Sequence, residues 1–287
     1  RHVNVTLPER KDRVEILKVH FKNKPVDEKV SIDALAAKTA GSSGADLANI
    51  ANEAAITAAR LGHDKITNKD VTEAFERIAI GPERKSKVMS EEERKITAYH
   101  EAGHAVVGHV LPDSDPVHKV TIIPRGRTGG VTWFLPPEDR SYKNIYELKD
   151  VLARAMGGRV AERIILGEDG ITTGASSDLQ HVAELSREMV TQEGMGKQLR
   201  DQVFNSDEVN FFGDRAKMYS EKTSELIDAE IEALNKEADA RAEAVLNANR
   251  KALDELAEAL LEKETLEEDE VAEILKDTKL PAAAKLH

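Results

Sequence analysis

The sequence predicts a mainly α-helical protein: a four-helix module followed by a larger, mostly helical block with one small β-hairpin. Three observations predict it. Apolar residues recur at helical spacing, as at Leu47, Ile50, Ala51, Ala54, Ala55 and Ala58. Capping boxes open one segment after another: Ser43 with Asp46, Thr67 with Asp70, Ser90 with Glu93. The one clear hairpin pattern, β-like residues around a Gly-rich turn at 126–130, is confined to 116–135.

The elements follow in order. HisValAsnValThrLeu at 2–7 alternates like the end of a strand, and an Arg at position 1 fits a segment cut from a longer protein. Pro8 and Glu9 suit the first turn of a helix that runs to about His20, where Lys24-Pro25 breaks it. Further helices are expected near 31–39, from Ser43 to about Arg60, and over 68–79, where Val71, Ala74, Phe75 and Ile78 share a face. Gly81-Pro82 and the charged run at 83–87 read as a hinge. A long helix then starts after Ser90 and ends near Leu111, and the hairpin follows it. Helices are expected over 144–167, over about 178–193, almost continuously from 214 to 260, and over 267–276. The boundaries expected are 1–82, a linker at 83–89, a second domain at 90–279 and a disordered tail at 280–287. That tail has the look of residues added by cloning.

Composition narrows the function. The 287 residues carry a net charge of −12 and 33% charged residues, which argues against a nucleic-acid partner. There is no cysteine, which excludes disulfides, thiolate metal ligands and a thiol nucleophile. No apolar run approaches the ~20 residues that span a bilayer.

His100-Glu101-Ala102-Gly103-His104 is the pattern H-E-x-x-H. Residues four apart lie about 40° apart around a helix, so both imidazoles face one metal. Glu101 lies on the flank, within reach of a metal-bound water, whose pKa zinc lowers toward ~7. Ala98, Ala102, Ala105, Val106 and Val107 supply a dry wall. A catalytic zinc needs a third protein ligand. The metzincin position, six residues after His104, is Val110, so that pattern fails. Two carboxylates remain, Glu162 and Asp178. Each has a plainer explanation: Glu162 as a surface ion pair with Arg159 or Arg163, Asp178 as a first-turn acid beside a Ser177/Gln180 capping box. Spacing does not choose between them.

Four segments in this order resemble the FtsH family of membrane-anchored AAA+ metalloproteases: HisGluAlaGlyHisAla (100–105), ValHisLysValThrIleIleProArgGly (117–126), GlyGlyArgValAlaGlu (157–162) and ThrThrGlyAlaSerSerAsp (172–178). The resemblance runs over residues 1–278. It implies a four-helix AAA+ lid subdomain followed by a zincin-type peptidase domain. It implies one zinc per subunit, held by His100, His104 and Asp178, with Glu101 as the base and Glu162 structural. It implies an edge strand over 129–135, where Gly130, Val131, Thr132, Trp133 and Phe134 would receive an extended substrate. The plainer reading there is a hairpin strand with Trp133 or Phe134 in the core. By the same resemblance Ile16, His20, Gly44 and Ala45 would line the adenine side of a nucleotide site. The chain has no G-x-x-x-x-G-K-[S/T] loop, so ATP, ADP and magnesium are expected only in the full-length parent.

The implied activity is endopeptidase action on unfolded or membrane proteins, driven in the parent by its ATPase. The implied assembly is a homo-oligomer, a hexamer. The acidic helices after 214, with Leu226, Ile227, Ile231, Leu234, Val245, Leu253, Leu256 and Leu260, contribute to that ring or pack within one subunit. The implied location is the cytoplasmic side of the bacterial inner membrane. An N-terminal anchor outside this sequence would hold the parent there, and this chain would be soluble.

Overall fold

The structure, a computed structural model, describes residues 5–84, 89–125, 128–140, 142–204 and 219–286. The chain divides into two compact units. The first holds Arg1–Val88, Ile123–Gly129 and Phe134–Tyr142, and the second holds Met89–Ile122, Gly130–Trp133 and Lys143–His287.

The first unit contains α1 (Arg10–Phe21), α2 (Ile32–Lys38), α3 (Gly44–Leu61) and α4 (Asn68–Ala79). The expected capping boxes form. Ser43 Oγ accepts from Asp46 N and the Asp46 carboxylate accepts from Ser43 N; Thr67 and Asp70 repeat the exchange. Gly62 ends α3 with φ of 73°, a left-handed position that favours glycine. Leu17, Leu47, Ile50, Ala54, Ala74 and Phe75 form the core. Residues 5–7 form no strand, and residues 1–4 and, within the expected linker at 83–89, residues 85–88 lie outside the described residues.

A linear cut near residue 83 does not anticipate the two later stretches that belong to this unit. Their anchors are arginines. Arg13, 1% exposed, donates to both Asp139 oxygens at 2.7 and 2.8 Å and to the Ala36 carbonyl. Arg125 donates to Glu76 and Glu83. A buried guanidinium without carboxylate partners costs several kcal/mol, so these pairs hold Asp139 and Arg125 in the unit.

The second unit contains α5 (Glu91–Val110), β1 (Val117–Thr121), β2 (Val131–Phe134, its last residue counted with the first unit) and α6 (Ile145–Leu166). It continues with α7 (Ser176–Thr191), α8 (Glu221–Ala248), α9 (Arg250–Lys263), β3 (Thr265–Glu267) and α10 (Glu268–Leu275). The sheet order is β2-β1-β3, so β1 is central and β2 is an outer strand. β1 and β3 are antiparallel, with Val120 opposite Leu266. The sequence showed only the hairpin: β3 is three residues long, and its strand character comes from that pairing.

Helices α5 and α6 touch backbone to backbone. A Cβ on Gly103 would collide with the Gly157 carbonyl, and one on Gly157 would lie 2.7 Å from the Gly103 carbonyl. Glycine inside a helix costs about 1 kcal/mol relative to alanine, and here it allows the close crossing.

The helix expected from 214 to 260 is two helices, broken at Asn249 (φ −121°, ψ 32°), and 205–218 lie outside the described residues. Ile227, Val245, Leu253, Leu256 and Leu260 are buried within the chain itself, so at those positions the intrasubunit reading holds.

The tail expected to be disordered is instead tied down. A 3-10 turn spans Ala282–Ala284 and Ala284 is fully buried. Buried Arg241 donates to the Ala284 carbonyl at 2.9 Å and to Asp150 at 2.5 Å. Asn249 exchanges two hydrogen bonds with the Lys279 backbone. These partners are far away in sequence, so composition did not show them.

Candidate metal centre

The centre lies in the second unit, where α5, α6 and α7 meet. Ser90 and Glu93 cap α5, and its apolar wall, Ala98, Ala102, Ala105, Val106 and Val107, is fully buried. Side chains one turn apart on this helix bring the His100 and His104 rings to 4.7 Å between centroids. Their Nε2 atoms approach to 3.1 Å, and Asp178 Oδ2 lies 3.2 Å and 3.6 Å from them. Among the described residues these three form the group able to hold a metal ion.

The opposite ring nitrogens fix the tautomers. His104 Nδ1 lies 2.7 Å from the Arg154 carbonyl, which only accepts, so His104 carries its proton there. His100 Nδ1 donates to Glu162 Oε1 at 2.8 Å. Both Nε2 lone pairs therefore face one point, beside a carboxylate oxygen. Two lone pairs so placed would repel, so the point calls for a positive charge between them, a proton on His100 Nε2 or a metal ion in its place. A tetrahedral zinc with Zn–N of 2.0–2.1 Å sets its ligand atoms about 3.3 Å apart, close to the spacing here. The donor set fits the ion.

The electrostatics agree. Burial opposes a charged His100, but its hydrogen bonds to Asp178 and Glu162 and the field of Glu101 outweigh this and push its pKa up to about 10. Burial also opposes the Asp178 charge, yet the two histidines hold its carboxyl well below the usual range. The pocket favours positive charge at its centre, and a metal would displace the proton. Burial pushes the Glu101 carboxyl up, partly offset by both histidines and Thr132, and a carboxylate raised in this way takes up a proton more readily.

Glu162 is no surface ion pair. It is 1% exposed, orients His100 and accepts from Thr172 N, while Arg163 pairs with Asp239 and Arg159 donates to the Thr172 carbonyl. Burial works against its charge too, but the His100 and Thr172 hydrogen bonds hold its pKa down. The Ser177/Gln180 capping box does not form. α7 starts at Ser176 with Ala175 before it and no side-chain cap, and Gln180 donates to Glu184. Asp178 thus sits in the first turn of α7 and faces the histidines.

Three contributors carry weaker sequence signals. The Arg154 carbonyl and the Thr172 amide are backbone groups, which leave no mark. Gly158 leaves one, a glycine inside a helix. A Cβ there would lie 2.5 Å from both His100 Cε1 and His104 Nε2. Gly158→Ala is expected to push both rings aside and weaken metal binding by about 10–100-fold, with helicity unchanged. Metal titration alongside circular dichroism checks this.

The other predicted residues lie elsewhere. Gly130 is buried, and a Cβ on it would lie 2.7 Å from the Thr121 carbonyl and 2.9 Å from Glu101 Oε1. Val131, Thr132, Trp133 and Phe134 form β2 and are all half-buried, so neither aromatic is a core residue; Trp133 meets His118 edge-on at 5.3 Å. Ile16 and His20 stand one turn apart on α1, half-buried. Gly44 and Ala45 open α3, the first half-buried and the second exposed. No helix among the described residues is long and apolar enough to cross a membrane.

Comparison with known proteins finds matches in both parts of the chain. The AAA+ lid domain model fits residues 29–73. "ATP-dependent zinc metalloprotease FtsH 1" of Thermoanaerobacter sp. (strain X514) is 47% identical over 250 residues, 86% of this chain and 41% of that protein. "ATP-dependent zinc metalloprotease FtsH" of Veillonella parvula is 48% identical over 242 residues, 83% of this chain and 37% of that protein. The "FtsH 3" of Synechocystis sp. is 46% identical over 253 residues, 86% of this chain and 41% of that protein. The chain thus spans about two-fifths of the length of the relatives it matches. The peptidase family M41 model matches residues 87–274, more than half of the sequence and the whole of the centre above, so this chain belongs to peptidase family M41.

Proposed function

We propose that this chain is the proteolytic part of an ATP-dependent zinc endopeptidase. The observation that carries the proposal is the convergence of two imidazole lone pairs and one carboxylate on a single point, with a buried glutamate on the same helix. His100, His104 and Asp178 would hold zinc. Zinc supplies a Lewis acid that polarises a scissile carbonyl and acidifies water. Glu101 takes a proton from the attacking water and passes it to the leaving amide nitrogen. Glu162 and the Arg154 carbonyl hold the two imidazoles in the tautomers the site needs. The outer strand β2 would receive an extended substrate through backbone pairing, which suits unfolded chains of varied sequence.

In the whole protein, an AAA+ motor would feed unfolded or membrane proteins to this site in a hexameric ring. That protein would be anchored in the bacterial inner membrane with this region on the cytoplasmic side. The first unit would be the motor's lid, with Ile16, His20, Gly44 and Ala45 facing adenine there and ATP and magnesium bound only in the presence of the missing phosphate loop. The boundaries proposed are residues 1–82 for the lid and 90–279 for the peptidase, the latter extended by the ordered residues up to 286. A second reading, an assembly module silent without its motor, follows from the absence of a phosphate loop. The two separate on unfolded casein. Zinc-dependent, ATP-independent degradation is expected, and full inertness of the zinc-loaded protein would favour the silent module.

A further inference from the structure

Glu101 can act on water only if its carboxylate is aimed, and a glutamate has three side-chain torsions to fix. The α5 backbone restricts the first and leaves the other two open. Among the described residues the Glu101 carboxylate has a single hydrogen-bond partner, the hydroxyl of Thr132. Thr132 Oγ1 lies 2.7 Å from Glu101 Oε2 and 2.9 Å from the Glu101 main-chain carbonyl. The other carboxylate oxygen, Oε1, faces Gly130, where a Cβ would come to 2.9 Å. One oxygen is thus held, and the other is bordered by a residue with no side chain.

We infer that Thr132 is a positioning residue that aims the Glu101 carboxylate and ties it to the strand proposed to receive substrate. The inference rests on the protease reading above. A hydroxyl has one proton and faces two acceptors here. The shorter contact, to an anionic oxygen, is the stronger and takes the proton. When Glu101 carries the proton taken from water, that proton sits on Oε1, the oxygen not held by Thr132, from which it can pass to the leaving nitrogen. Oε2 is then the acid's carbonyl oxygen and still accepts from the Thr132 hydroxyl, with no movement of heavy atoms. The hydroxyl therefore holds the base in both of its states.

The placement also explains why a strand residue does this. Thr132 lies in the middle of β2, an outer strand of the sheet, with Val131 and Trp133 on either side. A peptide paired with β2 would stiffen the strand and, through Thr132, the base. Positioning errors near 1 Å are known to cost on the order of 100-fold in rate.

The test compares Thr132→Val, which keeps the shape and removes the hydroxyl, with Thr132→Ser, which keeps the hydroxyl. Thr132→Val is expected to lower kcat on a peptide substrate by about 10–100-fold. KM should change less than threefold, and zinc content and melting temperature should stay those of the wild type. Thr132→Ser is expected to recover kcat to within about threefold. In a crystal structure of Thr132→Val the Glu101 carboxylate should leave its wild-type orientation. The inference is overturned if Thr132→Val keeps full kcat, if the loss falls on KM alone, if zinc or melting temperature drops, or if Thr132→Ser is as poor as Thr132→Val. A wild type that binds zinc but cleaves no peptide would sink the protease reading, and the Glu101 orientation in the crystal would then decide the Thr132 inference alone.

Discussion

Asp178→Ala is expected to leave a protein that no longer retains zinc through dialysis and has no peptidase activity above background. Among the described residues Asp178 supplies the carboxylate oxygen that lies within 3.6 Å of both imidazole Nε2 atoms. Without it, two neutral donors remain, short of the three protein ligands a catalytic zinc keeps. Glu162→Ala tests the competing assignment. Glu162 meets His100 on the Nδ1 side, away from the point where the lone pairs converge. Its loss frees the His100 ring without removing a ligand, so affinity should fall by about 10–100-fold and some metal should remain. Metal per subunit, measured by mass spectrometry after dialysis against graded chelator, ranks the variants. Zinc kept in Asp178→Ala and absent from Glu162→Ala would reverse the two roles.

Glu101→Gln separates chemistry from metal binding. Glutamine has the shape of glutamate and can keep a hydrogen bond with Thr132, but it takes no proton. Loss of a general base typically costs 10²–10⁴ in rate, so kcat should fall by about that factor. Zinc content should stay at one per subunit, because Glu101 is not among the three converging residues. Burying a neutral amide in place of a carboxylate that burial already disfavours should also stabilise the fold slightly. A rise or no change in melting temperature, with turnover gone, is the expected pair of results. Unchanged turnover would remove Glu101 from the mechanism.

What the sequence made legible was local. Ser43, Thr67 and Ser90 cap their helices because a capping box needs four consecutive residues and nothing else. The histidine pair was legible for the same reason: i and i+4 share a helix face in any fold. The same logic misled at Ser177/Gln180, where a tertiary site takes the first turn of α7 for another use. Residue spacing left Glu162 and Asp178 open because α6–α7 packing decides which carboxylate meets which ring nitrogen. Only the family resemblance pointed to Asp178. β3, the anchored end of the chain and the two arginine-held loops were invisible. Each depends on partners more than thirty residues away: Val120 for Leu266, Arg241 for Ala284, Arg13 for Asp139.

The pairing of β1 with β3 sets a timetable for synthesis. Thr121 meets Thr265 and Lys119 meets Glu267, so about 145 residues must be translated before the central strand gains its second neighbour. At 5–20 residues per second that takes roughly 7–30 s. All five β1 residues are buried in the finished fold, so for that interval a strand built for the interior has an open edge on the ribosome. The metal-binding side chains emerge earlier, by residue 178. The nascent chain therefore holds its ligands before its sheet is complete, and this delay is when it is most open to mispairing with other chains.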